Sequence, residues 1–345
     1  MSRRAKWTLG FIIAAVMLPV GSCGLLYETG ALCTAGLCPS RQVVVTTTTW
    51  TWDGQGWGRG VRQEGVGGFD DLGNDGNLAY DPSTRQLVLV GSASTVDETN
   101  TWIWSASGWT STGISAIFTG TLVYDESNRR LLMLDSFPSD TWIAYAWTGD
   151  AWLKVNSGSW DHVLAEPLVY DTELNSAVTM DRNCNRGNTT TMFEFQSGTW
   201  IAVPNGTLTS WGHLTFDAAR SKLVLFGDDH CGANGSGNCP AWTWVFNGSK
   251  WTRQEVGLTP LVNQSQPGCY NYDTRMSQMV YDPDLQKVLL LGAHQLWAWD
   301  GSAWSATSPS LPTDMDSPNS VIAFDSQQHK LFVVSTVVTT RAIFP

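Results

Sequence analysis

The chain has 345 residues, 42% of them hydrophobic and 15% charged, and it carries 33 glycines and 19 tryptophans. That composition excludes a disordered tail protein, and the length suits either two ordinary domains or one large propeller or barrel. The net charge of -11, from 31 acidic against 20 basic residues, argues against a sequence-independent grip on nucleic acid or any other polyanion.

In chain order, the first element is an address. Arg3, Arg4 and Lys6 precede an uncharged, mostly apolar run from Trp7 to Gly21 that is short for a membrane span. The pair Gly21-Ser22 directly before Cys23 resembles a bacterial lipobox. The resemblance implies a signal peptide over 1–22, lipidation of Cys23 and an anchor linker over 23–45; a plain cleaved signal and a secreted product are the alternative. Setting Cys23 aside leaves six of the seven cysteines, an even number that suits an oxidising compartment. The most local pairing joins Cys33 to Cys38 and Cys231 to Cys239, leaving Cys184 for Cys269, although six cysteines allow many connectivities. No Cys-x-x-Cys spacing supports a zinc site.

Two interlocking repeat series follow. In the first, an aromatic, a second aromatic two residues on and a Trp five residues later recur at Trp50/Trp52/Trp57, Trp102/Trp104/Trp109, Tyr145/Trp147/Trp152, Phe193/Phe195/Trp200, Trp244/Phe246/Trp251 and Trp297/Trp299/Trp304. Fourteen of the 19 tryptophans belong to it. In the second, an aromatic-Asp pair precedes a short apolar run: Tyr80-Asp81, Tyr124-Asp125, Tyr170-Asp171, Phe216-Asp217, Tyr281-Asp282 and Phe324-Asp325. Turn-forming residues sit inside both patterns, so each copy predicts a strand, a tight turn and a second strand.

Four strands per unit, repeated six times, predict propeller blades and an all-β fold. The Asp-anchored hairpin, the apolar run ending in Gly91, Gly227 or Gly292, and the closing Trp resemble kelch repeats, in particular the bacterial type related to the galactose oxidase central domain. Asp135, Asp181 and Ser335 stand in place of that glycine in three units. The first hairpin met is aromatic and the last is Asp-anchored, so the two halves complete a sixth blade and close the ring. A six-bladed β-propeller is therefore expected over 46–336, with a C-terminal tail over 337–345.

Spacing inside each hairpin is constant, whereas the other connections vary widely, which predicts one uniform face and one decorated face. The longest insertions cluster in consecutive units, and loops on a rigid scaffold commonly carry function. Arg186, Asp228, Asp229, His230, Tyr270, Tyr272 and Arg275 are the candidate contacts there; the competing reading is of tolerated loops stapled against proteolysis. Trp142, Trp160, Trp211 and Trp242 lie outside the repeat series and are the tryptophans to search for sugar stacking. The resemblance raises a copper-radical oxidase, but His162, His213, His230, His294 and His329 show no pairing. No phosphate loop, His-Glu-x-x-His or Gly-x-Ser-x-Gly occurs, so no metal, cofactor or catalytic residue is expected. The reading is of an exported, lipid-anchored monomer that binds a protein or glycan in the cell envelope, with a carbohydrate-active propeller enzyme as the alternative.

Overall fold

The computed structural model describes residues 40–65, 77–92, 99–105, 107–116, 121–135, 141–159, 164–183, 189–229, 241–260, 279–292, 294–313, 315 and 320–343. The described chain opens with β1 (Ser40–Trp52) and β2 (Trp57–Glu64). Blade one is β3 (Asn77–Asp81), β4 (Gln86–Ser92), β5 (Thr99–Ser105) and β6 (Gly108–Ala116). Blade two is β7 (Thr121–Asp125), β8 (Arg130–Asp135), β9 (Thr141–Trp147) and β10 (Trp152–Ser159). Blade three is β11 (Leu164–Asp171), β12 (Ser176–Asn183), β13 (Thr189–Gln196) and β14 (Thr199–Leu208). Blade four is β15 (Ser210–Asp217), β16 (Lys222–Asp229), β17 (Ala241–Phe246) and β18 (Trp251–Gln254), and blade five is β19 (Met279–Asp282), β20 (Lys287–Leu291), β21 (Leu296–Trp299) and β22 (Trp304–Ala306). The last strands, β23 (Ser320–Asp325) and β24 (Lys330–Ile343), join β1 and β2 in the order β2-β1-β24-β23 to make blade six.

The fold is thus an all-β, six-bladed propeller of four-stranded antiparallel blades, closed by strands from both ends of the chain, as the half-units at either end of the repeat predict. The innermost strands β3, β7, β11, β15, β19 and β23 approach one another in cyclic order, and β23 returns to β3. Residues Val45–Val337 form one compact unit. The second unit contains, among described residues, residues 40–44 of β1 and 338–343 of β24, where Thr339 Oγ1 donates to the Val44 carbonyl at 3.3 Å.

The second strand of each blade reads as a continuous apolar run because both its faces are covered. In β4, Leu87 and Leu89 pack with Val321 and Phe332 of blade six, whereas Val88 and Val90 pack with Leu131 and Met133 of blade two. Each such side chain, withdrawn from water, contributes about 1.5–3 kcal/mol. The in-series tryptophans fill the same seams between blades. Their indole N–H groups find a repeated partner where the sequence supplies one: Trp109 donates to Thr49 Oγ1 at 2.8 Å, Trp152 to Thr101 Oγ1 at 2.9 Å and Trp304 to Thr243 Oγ1 at 2.8 Å. Each acceptor stands one residue before the first aromatic of the preceding blade. At the seam between blades five and six that position is Leu296, and Trp57 Nε1 is buried with no hydrogen-bond partner among the described residues.

The outer edges of the blades are treated in two ways. In blades six, one, two and three the register between third and fourth strands shifts, with the extra residues on the outer strand (β2, β6, β10 and β14). In blades four and five the register is regular but the outer strand is only 4 and 3 residues long.

Candidate functional face

Antiparallel pairing sends the turns within hairpins to one face of the ring and every other connection to the opposite face. The turn face is built on the six repeated aspartates, each 0% to 6% exposed. The carboxylate caps the turn it opens: Asp171 Oδ1 accepts from the N–H of Glu173 and Leu174 at 2.9 and 3.1 Å, Asp282 from Asp284 and Leu285, and Asp325 from Gln327 and Gln328. Four residues after each aspartate the chain takes a left-handed φ, at Arg85, Arg129, Asn175, Ser221, Gln286 and His329. None is glycine, so the cap holds a conformation that most side chains disfavour.

Equal geometry does not give equal acidity. Burial pushes Asp171, Asp217 and Asp282 above the ordinary carboxylate range, even though Arg220 pairs with Asp217 at 3.0 Å. Burial also opposes ionisation of Asp125, but hydrogen bonds from Ser127 and Asn128 and the nearby Arg130 outweigh it and hold the group below its usual value. The second set of turns uses an exposed cap. Asp300 Oδ1 accepts from the N–H of Ser302 and Ala303 at 2.8 and 2.9 Å, Asp53 does the same with Gln55 and Gly56, and these backbone donors lower both acids.

A ring of tyrosines ties this face together. The aromatic before each aspartate reaches the second turn residue of the preceding blade: Tyr80 donates to Gln327 Oε1 at 3.2 Å, Tyr124 shares a 2.8 Å bond with Ser83 Oγ, and Tyr170 accepts from Ser127 N at 3.2 Å. Tyr281 reaches the backbone of Ala219, and burial pushes its phenol upward. Phe216 and Phe324 lack the hydroxyl. Beside Phe324 the equivalent turn residue, Asp284, is met instead by His329 Nδ1 at 2.9 Å.

Connections on the other face range from residue 209 alone, between β14 and β15, to residues 255–278, between β18 and β19. Of the seven candidate contacts, Asp228 and Asp229 lie in described backbone. They end β16, pairing with Trp211 and Ser210 on β15, and Asp228 also pairs with Ala241 on β17. Arg186, His230, Tyr270, Tyr272 and Arg275 lie outside the described residues, as do Cys23, Cys33, Cys38, Cys184, Cys231, Cys239 and Cys269.

The out-of-series tryptophans divide. Trp142 is buried and packs edge-on to Phe195 at 5.5 Å and Trp200 at 6.4 Å, so it belongs to the seam between blades two and three. Trp160 is outside the described residues, and the Trp211 backbone faces Asp228 across the strand pair. Trp242 is half-buried near the same end of blade four, one register step from Asp228, with the Arg253 guanidinium 4.2 Å above its ring. Arg253 also pairs with Glu255 at 2.9 Å. Arg253 was not among the expected contacts; in blade six Arg59, equally two residues after the hairpin Trp, stands 5.3 Å over Trp50. His213 is buried on β15 opposite Phe226, His294 is exposed, and His329 sits on the turn face. Among the described residues no cluster of three or more His, Cys, Asp or Glu is arranged to hold a metal ion.

The seam between blades three and four is distinct in its polarity. Thr190, Met192 and Glu194 alternate onto one side of β13, and Met192 packs with Leu214, Phe216 and Trp244 of blade four. Glu194 Oε1 accepts from Gln196 Nε2 at 2.9 Å, but Glu194 Oε2, Thr190 Oγ1 and Trp244 Nε1 are buried without a hydrogen bond among the described residues. Trp251, lacking a threonine here, donates to the Gly206 carbonyl at 3.1 Å.

No protein-family profile and no curated protein sequence matches the chain. Solved structures overlap it loosely. The SapL1 lectin in complex with alpha methyl fucoside has a TM-score of 0.44 at 13% identity, over 72% of this chain and 83% of that one. TolB from Acinetobacter baumannii has 0.44 at 9%, over 91% and 69%. A point mutant of the Aleuria aurantia lectin in complex with Fucalpha1-6GlcNAc has 0.39 at 14%, over 69% and 78%. The propeller assignment rests on the strand pairing of this chain and not on these overlaps.

Proposed function

We propose that the protein is an exported, kelch-like binding propeller that presents a ligand surface on the face carrying its long connections. The observation that supports this reading is the asymmetry of the ring. One face is closed by short, side-chain-capped turns tied blade to blade, while all connections of variable length leave from the other. A rigid frame with loops on one side is the usual arrangement for recognition. Asp228, Asp229, Trp242 and Arg253 mark the described edge of that surface, and Arg186, His230, Tyr270, Tyr272 and Arg275 extend it. In this reading Cys23 carries a lipid anchor, the other six cysteines form disulfides that brace the chain, and the ligand is a protein or glycan of the cell envelope.

A photo-crosslinking amino acid at position 242, and in a second protein at position 329 on the turn face, tests the reading against envelope extract and a glycan array. Adducts or glycan retention dependent on the 242 face are expected. Adducts confined to position 329, or silence in both assays with folded protein, would overturn it. The intact mass of the mature protein checks the lipid on Cys23 separately, and a thiol titration that finds free cysteines would remove the disulfides.

A further inference from the structure

Asn-Gly pairs occur at Asn205-Gly206, Asn234-Gly235 and Asn247-Gly248, and the first and last lie in described backbone. A glycine after asparagine offers a main-chain nitrogen with no Cβ beside it to hinder approach to the side-chain amide. The fold holds these two asparagines differently. Asn247 caps the turn between β17 and β18: its Oδ1 accepts from Ser249 N at 3.1 Å, Ser249 Oγ at 2.9 Å and Lys250 N at 3.1 Å. Asn205 is exposed in β14 at a left-handed φ of 56°, and its side chain makes no hydrogen bond among the described residues.

We propose that Asn205 is a site of spontaneous deamidation, and that its conversion loosens the seam between blades three and four. The Gly206 nitrogen attacks Asn205 Cγ; the new N–Cγ bond replaces the Cγ–Nδ2 bond, and ammonia leaves with the proton from Gly206. Water then opens the cyclic imide. Cleavage at Cγ gives aspartate, and cleavage at the main-chain carbonyl gives isoaspartate, with one more carbon in the backbone. The free side chain of Asn205 can rotate onto the nitrogen, whereas Asn247 must first release three hydrogen bonds.

The backbone next to Asn205 has no slack. A Cβ at Gly206 would meet Met192 Cβ and Val203 O, both at 2.9 Å. Its carbonyl is the acceptor for Trp251 Nε1. Phe216 supplies no hydroxyl to this seam, so an extra backbone carbon shifts the partner of its one indole bond. Conversion of Asn247 to aspartate, by contrast, recreates the cap already present at Asp53 and Asp300.

The test incubates the folded full-length protein in mildly alkaline buffer, with peptide mapping, isoaspartyl methyltransferase labelling and thermal melts over time. Acid and isoaspartate accumulate at position 205 ahead of 247, and Tm falls by about 2 °C as 205 converts, the shift expected for roughly one hydrogen bond in a chain of this size. Asn205→Gln abolishes the fall. Asn205→Asp, which keeps the normal backbone, leaves Tm unchanged and separates the added charge from the lengthened chain. In denaturant both sites convert alike. Conversion of Asn247 first, an intact Asn205, conversion at 205 without a change in Tm, or the same site order in denaturant would each overturn the proposal.

Discussion

The two seams that flank blade six use the same positions and solve them differently. Toward blade one, Trp109 donates to Thr49, Tyr80 donates to Gln327, and Gln63 brackets the Trp109 backbone with two further bonds. Toward blade five, Leu296 replaces the threonine, Phe324 replaces the tyrosine, and Trp50, Trp52 and Trp57 lie in an apolar cluster with their indole N–H groups buried and, among the described residues, unpaired. A surface pair, His329 with Asp284, is the polar link that remains on the turn face. This seam is therefore closed mainly by apolar packing, and hydrogen bonds refine a contact that area already makes. A buried donor left unpaired still costs about 1–3 kcal/mol, so the two seams should respond differently to the same substitution.

The largest contrast is expected from truncating the hairpin tryptophans. Trp109→Ala should cost about 3–5 kcal/mol in denaturant unfolding. Trp57→Ala removes an unsatisfied donor along with its ring and should cost clearly less; equal losses would show that the hydrogen bond to Thr49 contributes nothing. Next, Thr49→Val leaves the Trp109 N–H buried without a partner and should cost about 1–3 kcal/mol. The reciprocal change, Leu296→Thr, offers Trp57 an acceptor and should be cheaper than Leu131→Thr, an equally buried leucine whose neighbouring indoles, Trp147 and Trp152, already have acceptors.

A smaller effect follows from pH. Asp171, Asp217 and Asp282 are raised by burial, so each favours the protonated fold. Their contribution is fully present below the unfolded value of about 3.9 and is lost as pH rises through the folded value. Asp125 is held low, so its contribution is present above the unfolded value and lost as pH falls through its own. Thermal melts should therefore show a gain on acidification from neutral pH into the carboxylate range, then a fall at lower pH. Asp171→Asn should reduce the gain and Asp125→Asn the fall. The smallest effect is expected at the turn face of the weaker seam. Phe324→Tyr should add about 0.5–1 kcal/mol if its hydroxyl finds Asp284, and His329→Ala should cost under about 1 kcal/mol, since the pair is exposed.

Much of this architecture was legible because its residues recur at fixed spacing. The paired aromatics, the buried aspartates and the split sixth unit each leave a mark that repeats in the chain, and the strand order follows from them. The threonine acceptors stand at a recurring place too, one residue before Trp50, Trp102 and Trp244, but their role emerges only with the bonds they accept. The tyrosine ring was less legible, because each hydroxyl bonds to a residue in the neighbouring blade, 41 positions away for Ser83 and Tyr124 and 247 for Tyr80 and Gln327. The left-handed residue of each Asp turn carried no glycine to announce it. At the candidate face, repetition stops, and with it the means of inference: Asp228 and Asp229 are placed at a strand end, and the Arg253–Trp242 stack emerges only in the structure.

The shifted register of the outer strands in four blades, and the brevity of the other two, bear on how these molecules behave in a crowd. Each blade ends in a strand whose outward N–H and C=O groups offer a template to any passing chain. Extra residues bend that template out of line in β2, β6, β10 and β14, and β18 and β22 are too short to seed a pairing. All six rims thus carry a feature that discourages edge-to-edge pairing between molecules.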